Sequence, residues 1–333
     1  LFVLNYKVWG PNPAGFHITN IMLHIIGTML LYKIGVLLLN NNKLMSLMAT
    51  SIFAVHPVHN EPIGRAASGE VVFGFLVILF LYFFIREKKY LSWITFFLAL
   101  LSKESAVMLP FAVVILAVHK RGHKKGIIEI IPYIVLVGIY LYLRITIVDN
   151  VFGDKIGQPV FTRLLTMIAA TFDYIRLLIV PYPLSPLHSE RWYATFEPKV
   201  LLALLFLIAL FFLSLKIRKD KVMLFMLLFP FIMLVPVIWR VNTFRASQDY
   251  IYIAERFLYV PSMTVLLFVS ASVAKLIGNS ARKYLLIGWM SLTAVFIMIT
   301  ISSTMVWKND SALFSKITKE TPEVVFAHNN LGV

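Results

Sequence analysis

The stretch GEVVFGFLVILFLYFFI, at residues 69–85, is apolar except for Glu70 near its beginning. A run of about 20 apolar residues is long enough to cross the hydrocarbon core of a bilayer as a helix. Comparable runs recur along the 333 residues of the chain, of which 59% are hydrophobic and 14% are charged. Soluble domains are about 45–50% apolar and about 25% charged. The composition therefore predicts a membrane protein with many spans.

Ten apolar segments are predicted to be membrane helices. Several are short for a complete span, so Pro57 and Lys103 are predicted to mark tilted or broken helices. Segment 161–180 carries charged residues at wide intervals and is predicted to be an amphipathic helix lying at the membrane interface. The ten segments are residues 18–39, 44–55, 69–85, 90–102, 105–118, 127–147, 199–216, 222–239, 257–275 and 284–306.

The net charge of +15 is distributed unevenly between the predicted loops. One set of loops collects 16 basic residues and three acidic ones, and the positive-inside rule makes that set cytoplasmic. The charge therefore indicates topology rather than nucleic-acid binding. Because the chain has no cysteine, disulfides, thiolate metal sites and cysteine nucleophiles are excluded. The basic residues are Lys33, Lys43, those of residues 86–89, 120–125 and 216–221, Lys275, Arg282 and Lys283, and the acidic ones are Glu87, Glu129 and Asp220.

The last span is followed by WKNDSALFSKITKETPEVVFAHNNLGV, residues 307–333. Its apolar residues are spaced as in a helix, and Thr321 and Pro322 predict the start of a second helix. Such a helix pair is typical of tetratricopeptide repeats, and a short interfacial tail is the alternative. The predicted domains are a membrane domain at residues 1–306 and the start of an external repeat region at residues 307–333.

Five phrases with polar residues fall on the predicted non-cytoplasmic side or at its boundary. In chain order, they resemble the transmembrane and tetratricopeptide-repeat O-mannosyltransferases and their bacterial relatives, along essentially the whole chain. The resemblance implies an all-α fold, a polytopic helical bundle of the class C glycosyltransferases with about 10 spans here. The phrases are LNYKVWGPNPAGFHITNIMLH (4–24), HPVHNE (56–61), LSKESAVMLP (101–110), YIAERFLYVPS (252–262), and WKND (307–310) with TPEVVFAHNNLG (321–332).

The resemblance implies an integral-membrane enzyme that takes mannose from a polyprenyl (dolichyl) phosphate and transfers it to protein Ser or Thr on the external or lumenal face. It implies the plasma membrane in a bacterium or the endoplasmic reticulum in a eukaryote. The implied partners are membrane lipid, the lipid-linked sugar donor and a protein acceptor presented by the repeats, with no nucleic acid. No cofactor is assigned beyond the donor substrate. A requirement for a divalent metal stays open, and no residue pattern in the chain indicates one.

The resemblance implies that the family begins with one further span and an acidic external loop, which is expected to supply the general base or the acceptor-binding site. That segment is expected to precede this chain, so no catalytic residue is assigned here. The alternative function is a membrane transporter, or a scaffold whose repeats bind partners. Transporters favour matching halves and sites at mid-membrane, whereas the ionisable groups here cluster at one surface.

Transfer from a lipid phosphate requires neutralisation of the leaving phosphate, a task suited to Arg and Lys at the membrane boundary. Arg256 is the first choice for the donor phosphate, and a structural pair with Glu255 is the alternative. Three interpretations are open for His56, His59 and Glu61: a hydrogen-bonded cluster at a helix end, a contact with the donor or acceptor, or a metal site. Two histidines and a carboxylate can chelate a metal ion, but the spacing of these three residues differs from the helical HExxH pattern of zinc sites.

Three further groups have two interpretations each. Lys103, beside Glu104, is either part of a structural ion pair or a phosphate contact. Arg144 ends a span on the same face, and snorkelling is the simpler explanation for it. His188, Glu190 and Arg191 lie on a long external loop that is a solvated surface or a cover over the acceptor.

Asp173 and Arg176 are expected to pair with each other, and His24 is expected to make polar contacts inside the bundle. Members of the family usually carry a Gly/Ser-Arg-acidic phrase after the motif that corresponds to HPVHNE. Arg65 and Glu70 are displaced from the positions of that phrase.

Overall fold

The computed structural model describes residues 2–66, 68–147, 158–240, 250–276 and 282–332. These residues are mostly helical, which confirms the predicted all-α class. The α-helices of this part of the chain are α1 Phe2–Trp9, α2 Pro13–Leu38, α3 Lys43–Val55, α4 Asn60–Gly64, α5 Gly69–Ile85, α6 Lys89–Ser102, α7 Leu109–Arg121, α8 His123–Ile147, α9 Val160–Ile179, α10 Pro198–Ile217, α11 Lys221–Arg240, α12 Tyr259–Leu276, α13 Arg282–Thr304, α14 Asp310–Glu320 and α15 Val325–Leu331.

Six helices of the described residues are long and apolar enough to cross a membrane, namely α2, α8, α10, α11, α12 and α13. A seventh candidate results if α5 is joined to residues Pro57–Gly64, from which it is bent by 112°. Helices α3, α6 and α7 have 13, 14 and 13 residues, fewer than the roughly 20 that a complete crossing needs. The chain is a multi-pass membrane protein, and the count of ten spans stays a prediction.

The predicted helix breaks at Pro57 and Lys103 are confirmed. Helix α3 ends at Val55, and a 3-10 helix at Pro57–His59 leads into α4. Helix α6 ends at Ser102, Lys103 has extended backbone angles, and a second 3-10 helix follows at Glu104–Met108. Proline at the first position of a new turn fits both its fixed φ and its missing N–H, which explains why the chain changes direction at Pro57.

The chain divides into two compact units. The first consists of Leu1–Lys103, Pro181–Pro186 and Glu255–Val333. In it, α2 packs against α3 and α5, α5 packs against α6, and α12 packs against α3. Its core includes large side chains that are almost completely buried, among them Phe53, Phe80, Phe96 and Tyr259.

Four helices of the first unit share one arrangement of their ends. Helix α3 begins at Lys43 and ends before His56, and α5 begins at Gly69 and ends before Arg86. Helix α6 runs from Lys89 to Ser102, and α12 runs from Tyr259 to Leu276, next to Lys275. Each helix therefore has one end at a predicted site motif and the other end at a basic residue of the predicted cytoplasmic set.

The second unit consists of Glu104–Val180 and Leu187–Ala254. Helices α7 and α8 pack together after a tight turn at Gly122, whose φ of +76° favours glycine. Helix α11 packs against α7, and α9 packs against α10. Helix α9 buries one face, which includes Leu165, Ala169 and Tyr174, so the predicted amphipathic helix is confirmed. Its location at the membrane interface stays a prediction.

The second unit also contains a short antiparallel ribbon that the sequence did not predict. Strand β1, His188–Arg191, pairs with β2, Tyr250–Ile253, so that His188 lies opposite Ile253 and Arg191 opposite Tyr250. The prediction that residues 188–191 belong to a loop is wrong, because they form a strand; their role as a solvated surface or as a cover over the acceptor stays a prediction. The polar sequence HSER lacks the apolar alternation that marks a strand, and its pairing partner lies far along the chain.

The carboxyl-terminal residues form the predicted helix pair, α14 and α15, which pack against each other. The second helix begins at Val325 and not at Thr321 or Pro322. The N–H and the hydroxyl of Thr321 both donate to the carbonyl of Ile317, at 2.7 and 2.8 Å, so Thr321 closes α14 and does not open α15. The assignment to a tetratricopeptide repeat stays a prediction.

Candidate functional site

Glu61 and Arg256, which come from two different motifs, form an ion pair in the first unit. The guanidinium Nη1 of Arg256 donates to Glu61 Oε1, and the backbone N–H of Arg256 donates to Glu61 Oε2 at 2.8 Å. The side chain of Glu61 is 1% exposed, and that of Arg256 is 15% exposed. Glu61 lies in the first turn of α4, and Arg256 in the 3-10 helix Glu255–Leu258 that precedes α12. A short helical segment therefore positions each partner.

A second ion pair joins Lys103 to Glu70, with Nζ and Oε1 2.5 Å apart. Glu70 lies in the first turn of α5, whose N-terminus is capped by the Ser68 hydroxyl. Lys103 follows the last residue of α6. Because α5 and α6 are consecutive helices that pack together, the start of one meets the end of the other. Both side chains are largely buried, at 15% and 12% exposure.

The ring of Phe257 connects these two ion pairs. The Cζ atom of Arg256 lies 4.9 Å from the centre of the ring, and Lys103 Nζ lies 4.5 Å from it. Both distances fall within the range of a cation–π interaction. Arg65 joins the group through Glu61, with 3.9 Å between Nη1 and Oε1, and its side chain is 48% exposed. These six residues, Glu61, Arg65, Glu70, Lys103, Arg256 and Phe257, are named the charged cluster.

The charged cluster is suited to an anionic ligand. It holds three cationic side chains and two carboxylates, so positive charge is in excess by one within it. Of its cations, Arg256 and Lys103 are mostly buried, and Arg65 is half exposed. Arginine binds phosphate through planar, charge-assisted hydrogen bonds, and such bonds are stronger where water is largely excluded.

A buried histidine cluster in the first unit consists of His24, His59 and Tyr259 around the ring of Phe53, with His56 next to His59. His24 Nε2 lies 3.1 Å from the carbonyl oxygen of Ala54. A carbonyl oxygen can only accept, so Nε2 carries the proton, and Nδ1 accepts from the Tyr259 hydroxyl at 2.8 Å. The predicted polar contact of His24 inside the bundle is thus observed.

His56 and His59 are 1% and 2% exposed. His56 Nδ1 accepts from the backbone N–H of Val58, and its ring packs edge-on against Phe296. His59 Nε2 lies 3.0 Å from the hydroxyl of Ser262 on α12. This burial favours the interpretation of a hydrogen-bonded cluster at a helix end over direct substrate contact. Within the described residues, no three His, Cys, Asp or Glu side chains are placed to bind one metal ion, so the geometry gives the chelate no support.

The other predicted site residues have separate partners. The Glu255 carboxylate is 3% exposed and accepts from the backbone N–H of Ser185 at 2.7 Å. In the second unit, Arg144 Nη1 lies 3.6 Å from Glu104 Oε2 and donates to the Tyr140 hydroxyl at 2.8 Å. Snorkelling alone therefore does not explain Arg144, because its guanidinium contacts the carboxylate of Glu104 in the motif LSKESAVMLP.

A cavity of about 430 Å³ lies within the first unit, and some of its lining residues are sequence neighbours of the charged cluster. Three of its lining residues, Ala66, Gly69 and Ser102, directly follow or precede Arg65, Glu70 and Lys103 in the chain. The lining continues along α5 and α6, away from the ends of these helices that carry Glu70 and Lys103. The remaining lining residues are the polar Asn5, Asn20 and Ser68 and the apolar Phe16, Val72, Leu76, Leu98 and Leu101.

A further network of charges, named the Lys199 network, lies in the second unit and comprises Asp173, Glu190, Tyr193 and Lys199. Lys199 Nζ lies 2.8 Å from Asp173 Oδ2 and also contacts Glu190, which accepts from the Tyr193 hydroxyl at 2.6 Å. Burial raises the pKa of Asp173, although the bond from Lys199 opposes that effect. The predicted pair of Asp173 with Arg176 is present at 4.0 Å, but Lys199 is the closer partner.

Sequence reasoning missed Phe257 and Lys199. Phe257 directly follows Arg256, and an aromatic residue next to a boundary arginine was a usable signal. Lys199 lies in the first turn of the apolar helix α10, where the helix dipole disfavours a cation. A lysine in that position needs carboxylates nearby, and this need could have been noted from the sequence.

Comparison with known proteins yields curated relatives along nearly the whole chain. The chain is 25% identical, over 99% of its length, to Protein O-mannosyl-transferase F38B6.6 of Caenorhabditis elegans, of which it covers 49%. It is likewise 25% identical, over 99% of its length, to Protein O-mannosyl-transferase TMTC3 of Homo sapiens, of which it covers 41%. A shorter match is 41% identical over 69 residues to Protein O-mannosyl-transferase Tmtc1 of Drosophila melanogaster.

The chain spans half or less of the length of these relatives. No protein-family model and no solved structure matches it. The two matches along nearly the whole chain confirm the resemblance that the five sequence motifs indicated.

Proposed function

We propose that this chain is the membrane domain of a protein O-mannosyltransferase, an enzyme that transfers mannose from a polyprenyl phosphate to Ser or Thr of a protein on the non-cytoplasmic face. The similarity to proteins named O-mannosyl-transferases extends over 99% of the chain, which supports this class of activity. A shared fold alone does not define a reaction, so the proposal also depends on the chemistry of the charged cluster.

The donor phosphate binds at the charged cluster in this proposal. The single observation that carries the assignment is the contact of Lys103 and Arg256 with one ring, Phe257, at 4.5 and 4.9 Å. In this proposal, a phosphate that binds beside this ring contacts both cations. Arg65, being half exposed, supplies a third positive charge at the entrance of the cluster.

The lipid part of the donor occupies the neighbouring cavity in this proposal. Gly69, Val72 and Leu76 line it at spacings of three and four residues, and therefore lie on one face of α5. At 1.5 Å per residue, these positions extend about 10 Å along the helix from the charged cluster. A polar entrance followed by an apolar wall matches a phosphate with an attached hydrocarbon chain.

The ends of the helices in the first unit support the proposed non-cytoplasmic location. Helices α3, α5, α6 and α12 each place one end near the motifs of the site and the other near Lys43, Arg86, Lys89 or Lys275. Since basic loops stay in the cytoplasm, the charged cluster belongs to the opposite face. The protein acceptor then approaches from that face, on which residues 307–333 are also predicted to lie.

The reaction breaks the bond between mannose C1 and a phosphate oxygen and forms a bond between C1 and the acceptor hydroxyl oxygen. The acceptor proton passes to a general base, for which no residue of this chain is assigned. Arg256, Lys103 and Arg65 stabilise the charge that develops on the departing polyprenyl phosphate, as positioned cations do in other transfers of phosphate-linked groups.

The test is mannose transfer in membranes that contain the protein. Labelled polyprenyl-phosphate mannose is supplied with a protein acceptor, and Arg256→Ala is compared with Arg218→Ala, whose side chain lies at the turn between α10 and α11. The proposal predicts a loss of at least about 100-fold for Arg256→Ala, as for removal of one charge-stabilising donor, with little change for Arg218→Ala. Equal transfer by both variants would refute the assignment of the phosphate site.

A further inference from the structure

Phe257 is the only residue of the charged cluster that carries no charge, yet it contacts both of the mostly buried cations. Its ring is half buried in the 3-10 helix Glu255–Leu258. Arg256 Cζ lies 4.9 Å from the ring centre and Lys103 Nζ lies 4.5 Å from it. Lys103 also lies 5.8 Å from the ring of Phe73, a longer contact. The two cations therefore share one aromatic ring although they belong to segments more than 150 residues apart in the chain.

Each of the two cations also has its own carboxylate, Glu61 for Arg256 and Glu70 for Lys103. A phosphate that binds here competes with these carboxylates for the same donors. If the carboxylates alone fixed the cations, this competition would release both long side chains. An aromatic ring attracts a cation through the negative charge of its faces, and it contributes no hydrogen bond that the phosphate could replace.

We infer that Phe257 is a positioning residue of the anion site: its ring holds Arg256 and Lys103 at a common centre while their hydrogen bonds change from carboxylate to phosphate. The inference rests on the proposed function, because it takes the lipid phosphate as the ligand. The inference adds that the preference of the site for a phosphate over an alcohol head group depends on the ring of Phe257. Leucine at position 257 would fill similar space without attracting either cation.

The test measures the binding of farnesyl phosphate and of farnesol to the purified protein in lipid nanodiscs. The variants are Phe257→Leu, which removes the ring, and Phe257→Tyr, which keeps it. The matched control is Phe80→Leu, the same exchange at a buried ring of α5 that packs against Phe84 and Phe96. Thermal unfolding of each variant shows that the compared proteins are folded.

The expected result is that Phe257→Leu weakens farnesyl phosphate binding by about 3- to 30-fold, the range of one to two cation–π contacts, and leaves farnesol binding unchanged. Phe257→Tyr and Phe80→Leu retain the preference for the phosphate. The inference is overturned if Phe257→Leu keeps that preference, or if it loses phosphate and alcohol binding equally, since a purely structural role would affect both ligands. A wild-type protein with no preference for the phosphate would instead refute the donor site itself.

Discussion

The carboxylate of Glu61 accepts two hydrogen bonds from Arg256, one from the guanidinium and one from the backbone N–H. The two residues are 195 positions apart in the chain. Because a backbone N–H is part of the contact, the turn that contains Arg256 is fixed together with the side chain. Glu61 is 1% exposed, so its charge depends on this partner for compensation. The pair holds the motifs HPVHNE (56–61) and YIAERFLYVPS (252–262) together.

The coupling between Glu61 and Arg256 is measurable in a double-mutant cycle with Glu61→Gln and Arg256→Gln. We expect a coupling free energy of about 2 kcal/mol, in the range for hydrogen bonds between charged groups. The measurement is the free energy of unfolding in detergent for the wild type, the two single variants and the double variant.

The control for this cycle is the pair Lys316–Glu320 on α14, whose side chains are 29% and 35% exposed. Pairs one helical turn apart on a surface contribute about 0.3–0.5 kcal/mol. A Glu61–Arg256 coupling no larger than that of the control would show that the buried pair does not hold the two motifs together.

The hydrogen bond between Tyr259 and His24 predicts a specific loss of stability. Tyr259→Phe removes the hydroxyl that donates to His24 Nδ1 at 2.8 Å and leaves a buried acceptor without its partner. We expect a loss of about 1–3 kcal/mol in the free energy of unfolding. Tyr284→Phe is the control, because Tyr284 is 74% exposed. Equal stability of the two variants would contradict the tautomer and the hydrogen bond assigned to His24.

The sequence was sufficient for those features that depend on local pattern. Apolar runs predicted the helices, and Pro57 and Lys103 marked where α3 and α6 end, because a proline and a boundary charge act on the adjacent turn. The amphipathic character of α9 followed from its own spacing of apolar residues. The motif phrases likewise predicted that Glu61, Lys103 and Arg256 lie together, and their role in a functional site stays a prediction.

The partner of each charged residue could not be predicted in the same way. Arg256 has Glu255 beside it in sequence, but its guanidinium reaches Glu61; Lys103 has Glu104 beside it, but its ammonium reaches Glu70. Neighbours in a sequence often project in different directions from a turn, and pairing across helices is set by packing. The β1–β2 ribbon was missed for the same reason, because its register depends on contacts between distant segments.

The Lys199 network predicts a pH dependence of stability. Burial raises the pKa of Asp173 above its ordinary value of 3.8. Asp173 therefore contributes stability that is complete below that ordinary value and is lost as the pH rises through its pKa in the folded protein. Asp173→Asn removes the ionisation, so the unfolding free energy of this variant should fall less than that of the wild type as the pH is raised from about 4.

Lys199→Met sharpens this test, because Lys199 lowers the pKa of Asp173 through its hydrogen bond and its charge. Without Lys199, the pKa of Asp173 rises further and the loss of stability extends to higher pH. Unfolding midpoints of Lys199→Met and of Lys199→Met/Asp173→Asn are compared across the acidic and neutral range. Identical pH profiles for these two variants would show that Asp173 is not the group responsible.

The cavity beside the charged cluster predicts an effect of chain length on donor binding. Val72→Trp places a large ring in the cavity lined by Leu76 and Leu98, so we expect weaker binding of a long polyprenyl phosphate, by about tenfold, and a smaller effect on a phosphate with a short chain. Competition between the two lipids measures the difference. Val295→Trp on α13, a residue that is 43% exposed, is the control. Equal losses for long and short lipids would place the hydrocarbon chain elsewhere.

The central claim is that the charged cluster faces away from the cytoplasm, and labelling of single cysteines tests it most directly. The chain has no cysteine of its own, so Ala66→Cys and Lys88→Cys each introduce one thiol near opposite ends of α5. Added to intact cells or sealed vesicles of known orientation, a membrane-impermeant maleimide should label position 66 from the non-cytoplasmic side and position 88 only after permeabilisation. Labelling of position 88 from the non-cytoplasmic side, or of position 66 only from the cytoplasmic side, would contradict the account.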